Sequence, residues 1–171
     1  MRKRGRGFME NVNYILGMLV ILPLILIIHE CGHAFFAKLF GGKVTNITIG
    51  YGKKIYSKGI LEIKLWYFIN GFCSYKDLKT NSKVSKIIII LGGIIFNVFS
   101  IALVFIPAFI LYPSYNIDNT VVLASIFHTF LEFSLMFVVF NSLPIKIFGM
   151  NSDGLQLYQL IRYGKSSFYG N

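Results

Sequence analysis

Long apolar stretches separated by shorter polar segments dominate the hydrophobic pattern of this chain of 171 residues. Three stretches are long enough for a helix that crosses a bilayer, which needs about 20 residues. They run over about residues 14–39, 87–112 and 121–143. The pattern therefore predicts an all-α integral membrane protein with a three-helix transmembrane core, in which residues 1–171 form a single membrane-embedded domain.

The pattern changes from helical to alternating between the first two stretches. Ile47 and Ile49 alternate with polar neighbours, residues 61–65 alternate strictly, and residues 57–59 supply turn-forming side chains between them. Alternation with period two is typical of a half-buried strand. The segment at about residues 44–73 is therefore interpreted as a β-hairpin, with an amphipathic surface loop as the alternative.

Composition agrees with a membrane location, because 55% of the residues are apolar and only 14% are charged. These values exclude a disordered chain and are unusual for a soluble domain. Two cysteines are too few for a disulfide framework.

The net charge of +10 comes largely from lysines between the first two stretches and near the C-terminus, whereas the link at residues 113–120 has no lysine or arginine. Lysines that flank apolar spans favour the cytoplasmic side of a membrane rather than a nucleic-acid partner. We therefore expect the hairpin and the C-terminus in the cytoplasm and the link outside. Residues 1–7, expected to be retained rather than cleaved, carry four positive charges, which leaves the side of the N-terminus open.

The first apolar stretch contains His29, Glu30 and His33. Two histidines four residues apart lie on one face of a helix, so both imidazoles can reach a single metal ion. The adjacent glutamate can then reach a water on that ion and act as a general base. Ionisable groups in an apolar helix are costly unless they are paired or bound to metal. The alternative is a polar turn that fills a contact between helices.

Residues 29–34 resemble the zinc motif of the site-2 protease family of intramembrane zinc metalloproteases, including the glycine before the second histidine. Residues 49–52, together with the hairpin, resemble the membrane-associated β-region that follows the first core helix in this family. Gly92 and Gly93 followed by Asn97 resemble the motif of its second core helix.

Residues 141–144 with Asp153 and Gly154 resemble the motif of the third core helix, although the spacer at residues 145–152 is longer than is usual in the family. The resemblance implies that His29, His33 and Asp153 bind one zinc ion per chain. Three protein ligands leave a fourth position for water, as in catalytic sites.

The resemblance also implies that Glu30 is the general base. An amide from Asn97 or Asn141 could stabilise an oxyanion or contact substrate, with a hydrogen bond between helices as the equal alternative for both. The expected function is an intramembrane zinc endopeptidase of regulated intramembrane proteolysis, which cleaves transmembrane or membrane-associated peptides in a bacterial cell membrane. A regulatory partner is not identified by the sequence. The alternative is a non-proteolytic metal carrier or a chaperone-like membrane protein on the same scaffold.

His128 and Glu132 lie four residues apart in the third stretch and form either a bonded pair or a functional site. Glu132 is an alternative third ligand, but depth in the membrane favours Asp153. His33 precedes Lys38 by five residues, about 7.5 Å of helix, whereas Glu132 precedes Lys146 by fourteen, about 21 Å. The metal is therefore expected near the cytoplasmic side, where Asp153 enters.

Overall fold

A computed structural model of the chain describes residue 15 and residues 17–111, 121–147 and 149–164. The link at residues 113–120 and the basic residues 1–7, for which the sequence made predictions, lie outside this part. The helices are α1 (Leu22–Leu39), preceded by a π-helical turn (Gly17–Ile21), α2 (Lys83–Leu111), α3 (Val121–Ser142) and α4 (Asp153–Tyr163). The strands are β1 (Lys43–Lys58), β2 (Leu61–Lys76), β3 (Lys146–Ile147) and β4 (Met150–Asn151).

The prediction of an all-α fold with a three-helix transmembrane core is wrong. Within the described residues, two helical segments are long and apolar enough to cross a membrane, Leu19–Leu39 and Lys83–Ile106. The corresponding apolar segment of α3 is shorter, Ile126–Ser142. In the same described part of the chain, four strands in two antiparallel sheets complete a mixed fold of helices and sheets. The length of the third apolar run overstated the apolar helix in the described part of α3, and an all-α class leaves out the strands.

The larger sheet is a hairpin of two strands of sixteen residues each, longer than the predicted one at about residues 44–73. Its base pairs Lys43 with Lys76, and its outer half pairs Lys58 with Leu61. Between these halves β1 bends at Gly50 and Gly52, whose φ angles of 95° and 91° favour glycine. Because of this bend, residues 47–49 of β1 pair with residues 71–73 and also with residues 61–63.

The smaller sheet accounts for the long spacer before Asp153. Strands β3 and β4 pair antiparallel across a turn at Gly149, whose φ is 81°. The ends of the spacer meet, because the Ser152 N–H donates to the Ile145 carbonyl at 3.0 Å. The extra residues therefore project as a small hairpin, and the chain returns to the end of α3, which stops before Pro144.

Helices α1 and α2 cross at close range through glycines. A Cβ atom added at Gly92 would lie 2.7 Å from the carbonyl oxygen of Gly32 and 2.8 Å from the Phe36 ring. Small residues at such crossings let helix backbones approach closely. One core cluster lies between α1, α2, α4 and the hairpin: Ala34, Ala37, Val44, Cys73, Tyr75, Ile89, Ile90 and Leu160.

This crossing makes a prediction for Gly92→Val. The added side chain meets backbone atoms that cannot rotate away, so the variant should lose about 1–3 kcal/mol of unfolding free energy. Thermal unfolding of the purified protein in detergent should show a lower midpoint. Val98→Ile, which adds one methylene to an exposed position of the same helix, should unfold like the original protein. An unchanged midpoint for Gly92→Val would contradict the close crossing.

Candidate metal centre

Three polar side chains of α1 face the interior of the fold rather than its apolar surface. His29, Glu30 and His33 are 2%, 4% and 1% exposed, respectively. One ligand atom from each lies within 4.8 Å of the other two. The i,i+4 spacing brings the two imidazoles together edge to face, with ring centroids 4.8 Å apart. The helix therefore presents two imidazoles and a carboxylate to one point.

Asp153 reaches the same point from a distant part of the chain. Its Oδ2 lies 3.0 Å from His29 Nε2, and its Oδ1 lies 3.4 Å from His33 Nε2. Asp153 is the first residue of α4, where the Ser152 hydroxyl accepts a hydrogen bond from the Leu155 N–H at 3.1 Å. Gly154 packs so closely on the Ser142 carbonyl that no side chain fits between them. The cap and the glycine together fix Asp153 beside the histidines.

The side of each imidazole that points away from Asp153 is held by α2. His33 donates its Nδ1–H to the Ile89 carbonyl at 2.8 Å, which leaves Nε2 with a free electron pair. The Asn97 amide nitrogen lies 3.2 Å from His29 Nδ1. Gly93 lies under the ring of His29, since a Cβ there would be 2.5 Å from Nε2.

These residues fit a zinc ion. Tetrahedral ligands at bond lengths of about 2.0–2.1 Å lie about 3.3 Å from one another, close to the 3.0 and 3.4 Å that separate Asp153 from the two histidines. Glu30 Oε2 is buried and has no hydrogen-bond partner. Buried carboxylate oxygens normally have one. Nitrogen and oxygen ligand atoms that converge on one buried point suit a cation between them.

Asp153 is also suited to remain ionised. Burial alone would raise the pKa of Asp153, but the charges of His33 and then His29 outweigh burial and hold this pKa below its usual value. The thiol of Cys73 is different, because burial raises its pKa to about 12. A buried thiol that stays protonated is neither a ligand nor a nucleophile here.

Strand β2 covers the site at Gly71, a residue to which the sequence analysis assigned no role. A Cβ atom at Gly71 would lie 2.5 Å from both Glu30 Oε1 and Leu26 Cδ2, so only glycine allows the strand this close to the carboxylate. Its neighbour Asn70 donates from Nδ2 to Met150 Sδ at 2.9 Å, which connects β2 to β4. The available signal was a glycine inside an alternating strand, which often marks close backbone approach.

A cavity of about 220 Å³ opens beside these groups. Its walls are His29, Glu30, His33, Asn70, Gly71, Phe72, Phe137, Asn141, Gly149, Met150, Asn151, Asp153 and Gln156. A second, mostly apolar cavity of about 470 Å³ shares Phe137 and Asn141 with the first. Its other walls include Leu22, Phe68 and Met136. The polar site therefore lies next to apolar space.

The other candidate residues lie in different surroundings. Asn141 lines both cavities, and its Nδ2 donates to the Phe137 carbonyl of the same helix at 3.0 Å. Asn97 is absent from the walls of these two cavities and lies behind His29. His128 and Glu132 pair with each other at 3.5 Å on an exposed face of α3, with side chains 72% and 45% exposed. Neither of these two residues lines the cavity that contains Glu30.

Comparison with known proteins covers most of this chain. The sequence profile of peptidase family M50 matches residues 17–162. A relative from Bacillus subtilis, named "Uncharacterized membrane protein YwmF", is 36% identical over 163 residues, which cover 93% of this chain and 95% of the relative.

Two further relatives carry metalloprotease names. The "Putative zinc metalloprotease" of Borreliella burgdorferi is 33% identical over 54% of this chain. The "Probable membrane metalloprotease ARASP2, chloroplastic" of Arabidopsis thaliana is 27% identical over 59% of it. In each case the match spans only 27% of the relative's length. The chain belongs to peptidase family M50, the site-2 protease family of membrane metalloproteases.

Proposed function

We propose that this protein is an intramembrane zinc endopeptidase that cleaves transmembrane or membrane-associated peptides, as in regulated intramembrane proteolysis. The observation that carries the proposal is the convergence of His29, His33 and Asp153 on one buried point, with Glu30 beside it. Among the described residues, only one group of at least three histidine, cysteine, aspartate or glutamate side chains gathers in this way. One fixed site favours an enzyme over a metal carrier, which needs ligands along a path through the membrane.

His29, His33 and Asp153 would hold one zinc ion, and Glu30 would do the proton transfers. Zinc supplies Lewis-acid chemistry, which polarises a peptide carbonyl and makes a water molecule more acidic. Glu30 accepts the proton of the attacking water on its free Oε2 and returns it to the nitrogen of the departing amine. Asn141, on the cavity wall, would donate the second hydrogen of its Nδ2 to the oxygen of the attacked carbonyl or to the substrate backbone.

Strand β2 supplies a surface for an extended substrate. It pairs with β1 on one side, and its residues 70–72 line the cavity. A peptide that unwinds at the scissile bond can add to a strand edge through backbone hydrogen bonds. The adjoining apolar cavity, with Phe137 and Asn141 at its boundary, would take a large apolar side chain next to that bond.

The proposed orientation puts the hairpin on the cytoplasmic side of a bacterial cell membrane. Four of the hairpin's lysines, Lys53, Lys54, Lys58 and Lys64, extend along its outer half. Such lysines favour the cytoplasmic side, where the lipid surface is negative. The C-terminus is expected on the same side.

Glu30→Gln tests the proposed base. The amide keeps the size of the side chain but cannot take up a proton, so cleavage of a membrane peptide should fall by at least about 100-fold, the lower range for a lost general base. Zinc content, measured by plasma mass spectrometry, should stay at one ion per chain. Glu62→Gln, a matched change at a glutamate of the hairpin that pairs with Lys54, should preserve both. Full cleavage by Glu30→Gln would refute this mechanism, and loss of zinc would make Glu30 a ligand.

Asp153→Ala tests the third ligand against its alternative, Glu132. Removal of the carboxylate that faces both histidines should release most of the zinc, since two imidazoles alone hold zinc poorly. Glu132→Gln should retain it, because Glu132 lies on an exposed face with His128. Loss of zinc from Glu132→Gln but not from Asp153→Ala would identify Glu132 of α3 as the third ligand instead.

Labelling of a single cysteine at Ser57 tests the orientation. Ser57 is exposed near the tip of the hairpin, and Cys31 and Cys73 can be replaced to remove background labelling. An impermeant maleimide should label Ser57→Cys in inside-out vesicles and not in right-side-out ones. Labelling confined to right-side-out vesicles would reverse the proposed orientation.

A further inference from the structure

Helix α2 presents one row of residues to both histidines. Ile89, Gly93 and Asn97 are spaced by four residues and therefore lie on one helix face. Ile89 accepts the Nδ1–H of His33, Gly93 leaves room for the ring of His29, and the Asn97 amide contacts His29 Nδ1. Both imidazoles are thus held through Nδ1, while both Nε2 atoms point to Asp153.

We propose that Asn97 is a positioning residue for the metal. In this role its amide oxygen accepts the Nδ1–H of His29 and thereby holds the tautomer whose Nε2 carries a free electron pair. The inference rests on the proposed function, because it concerns how tightly the same site binds zinc. Metal-binding histidines commonly donate their other ring N–H to such an acceptor, which fixes both the tautomer and the ring orientation.

The two histidines differ in how this tautomer is secured. A carbonyl can only accept, so the contact of His33 with Ile89 already requires hydrogen on Nδ1. The Nδ1 side of His29 meets the side chain of Asn97, whose amide offers a donor at one end and an acceptor at the other. Whether the nitrogen or the oxygen of the Asn97 amide faces His29 therefore decides whether His29 Nε2 carries a hydrogen.

In the structure the amide nitrogen of Asn97 faces His29, and Asn97 Oδ1 is buried without a hydrogen-bond partner. This orientation puts the hydrogen of a neutral imidazole on Nε2, where it would block a metal. The two ends of an amide are nearly equal in size, so a half-turn of the side chain exchanges them without displacing His29. Either orientation leaves one amide atom without a hydrogen-bond partner. Zinc at Nε2 requires the hydrogen of the imidazole on Nδ1, and therefore favours the orientation in which the amide oxygen faces His29.

The location of Asn97 favours contact with His29 over contact with a substrate. Its residue exposure is 1%, and it lies on the Nδ1 side of His29, away from Asp153 and the cavity. An oxyanion or substrate contact at Asn97 stays a prediction from the sequence. A hydrogen bond that only joins two helices would give the same location, so the test has to separate a packing role from an effect on the metal.

Zinc affinity of substituted proteins separates these roles. The purified protein in detergent competes for zinc with a chelator of known affinity. Asn97→Leu, which keeps the approximate volume but lacks an acceptor, should weaken zinc binding about 10–100-fold. Asn97→Asp restores an acceptor oxygen and should bind zinc within a few-fold of the original protein. Ser100→Ala removes a hydroxyl that donates to the Asn97 carbonyl at 2.8 Å and should leave affinity unchanged.

Unchanged zinc affinity in Asn97→Leu would overturn the inference. Zinc affinity weakened as much in Asn97→Asp as in Asn97→Leu would also overturn it, because that result indicates a packing role. Nitrogen NMR of the unsubstituted, zinc-loaded protein tests the same point without relying on a variant that folds. His29 should show a protonated Nδ1 and a metal-bound Nε2, and the reverse assignment would overturn the inference. If the unsubstituted protein binds no zinc, both the proposed function and the inference are wrong. If it binds zinc and only the results for Asn97 differ from those expected, the inference alone is wrong.

Discussion

The burial of three ionisable side chains on an apolar helix is the constraint on which the rest of the structure depends. His29, Glu30 and His33 are almost fully buried in a segment that is apolar enough to cross a membrane. Such groups cost several kcal/mol in that environment unless partners compensate them. The fold supplies a carboxylate from Asp153, a carbonyl from α2 and an amide from Asn97. A cation among the Nε2 and carboxylate atoms would complete the compensation.

Close approach of the backbone makes these partners available. Gly32 and Gly92 let α2 reach the histidines, Gly71 lets β2 cover Glu30, and Gly154 seats the start of α4 against the end of α3. At each of these positions a Cβ atom would collide with backbone or with a site residue. Packing of the helices and geometry of the site are therefore two aspects of the same contacts, and glycine at these positions serves stability and chemistry together.

Much of the candidate site could be predicted from the sequence, because a four-residue spacing on a helix fixes which side chains share a face. His29, Glu30 and His33 are adjacent for this reason, and the hairpin followed from alternation at Ile47 and Ile49. The predicted third membrane-spanning helix is wrong, because the described part of α3 supplies only a shorter apolar segment than the apolar run in the sequence suggested. Contacts between distant segments were equally inaccessible: Gly71 approaches Glu30, and Asn97 lies behind His29, only because of tertiary packing.

X-ray absorption at the zinc edge, on protein purified without added chelator, shows directly which atoms bind the metal. We expect one zinc ion per chain, with two imidazole nitrogens at about 2.0–2.1 Å and carboxylate and water oxygens at about 2.0–2.2 Å. That coordination would correspond to His29, His33 and Asp153 with one position left for water. Protein that contains no zinc after addition of the metal, or a zinc shell without two imidazoles, would contradict it.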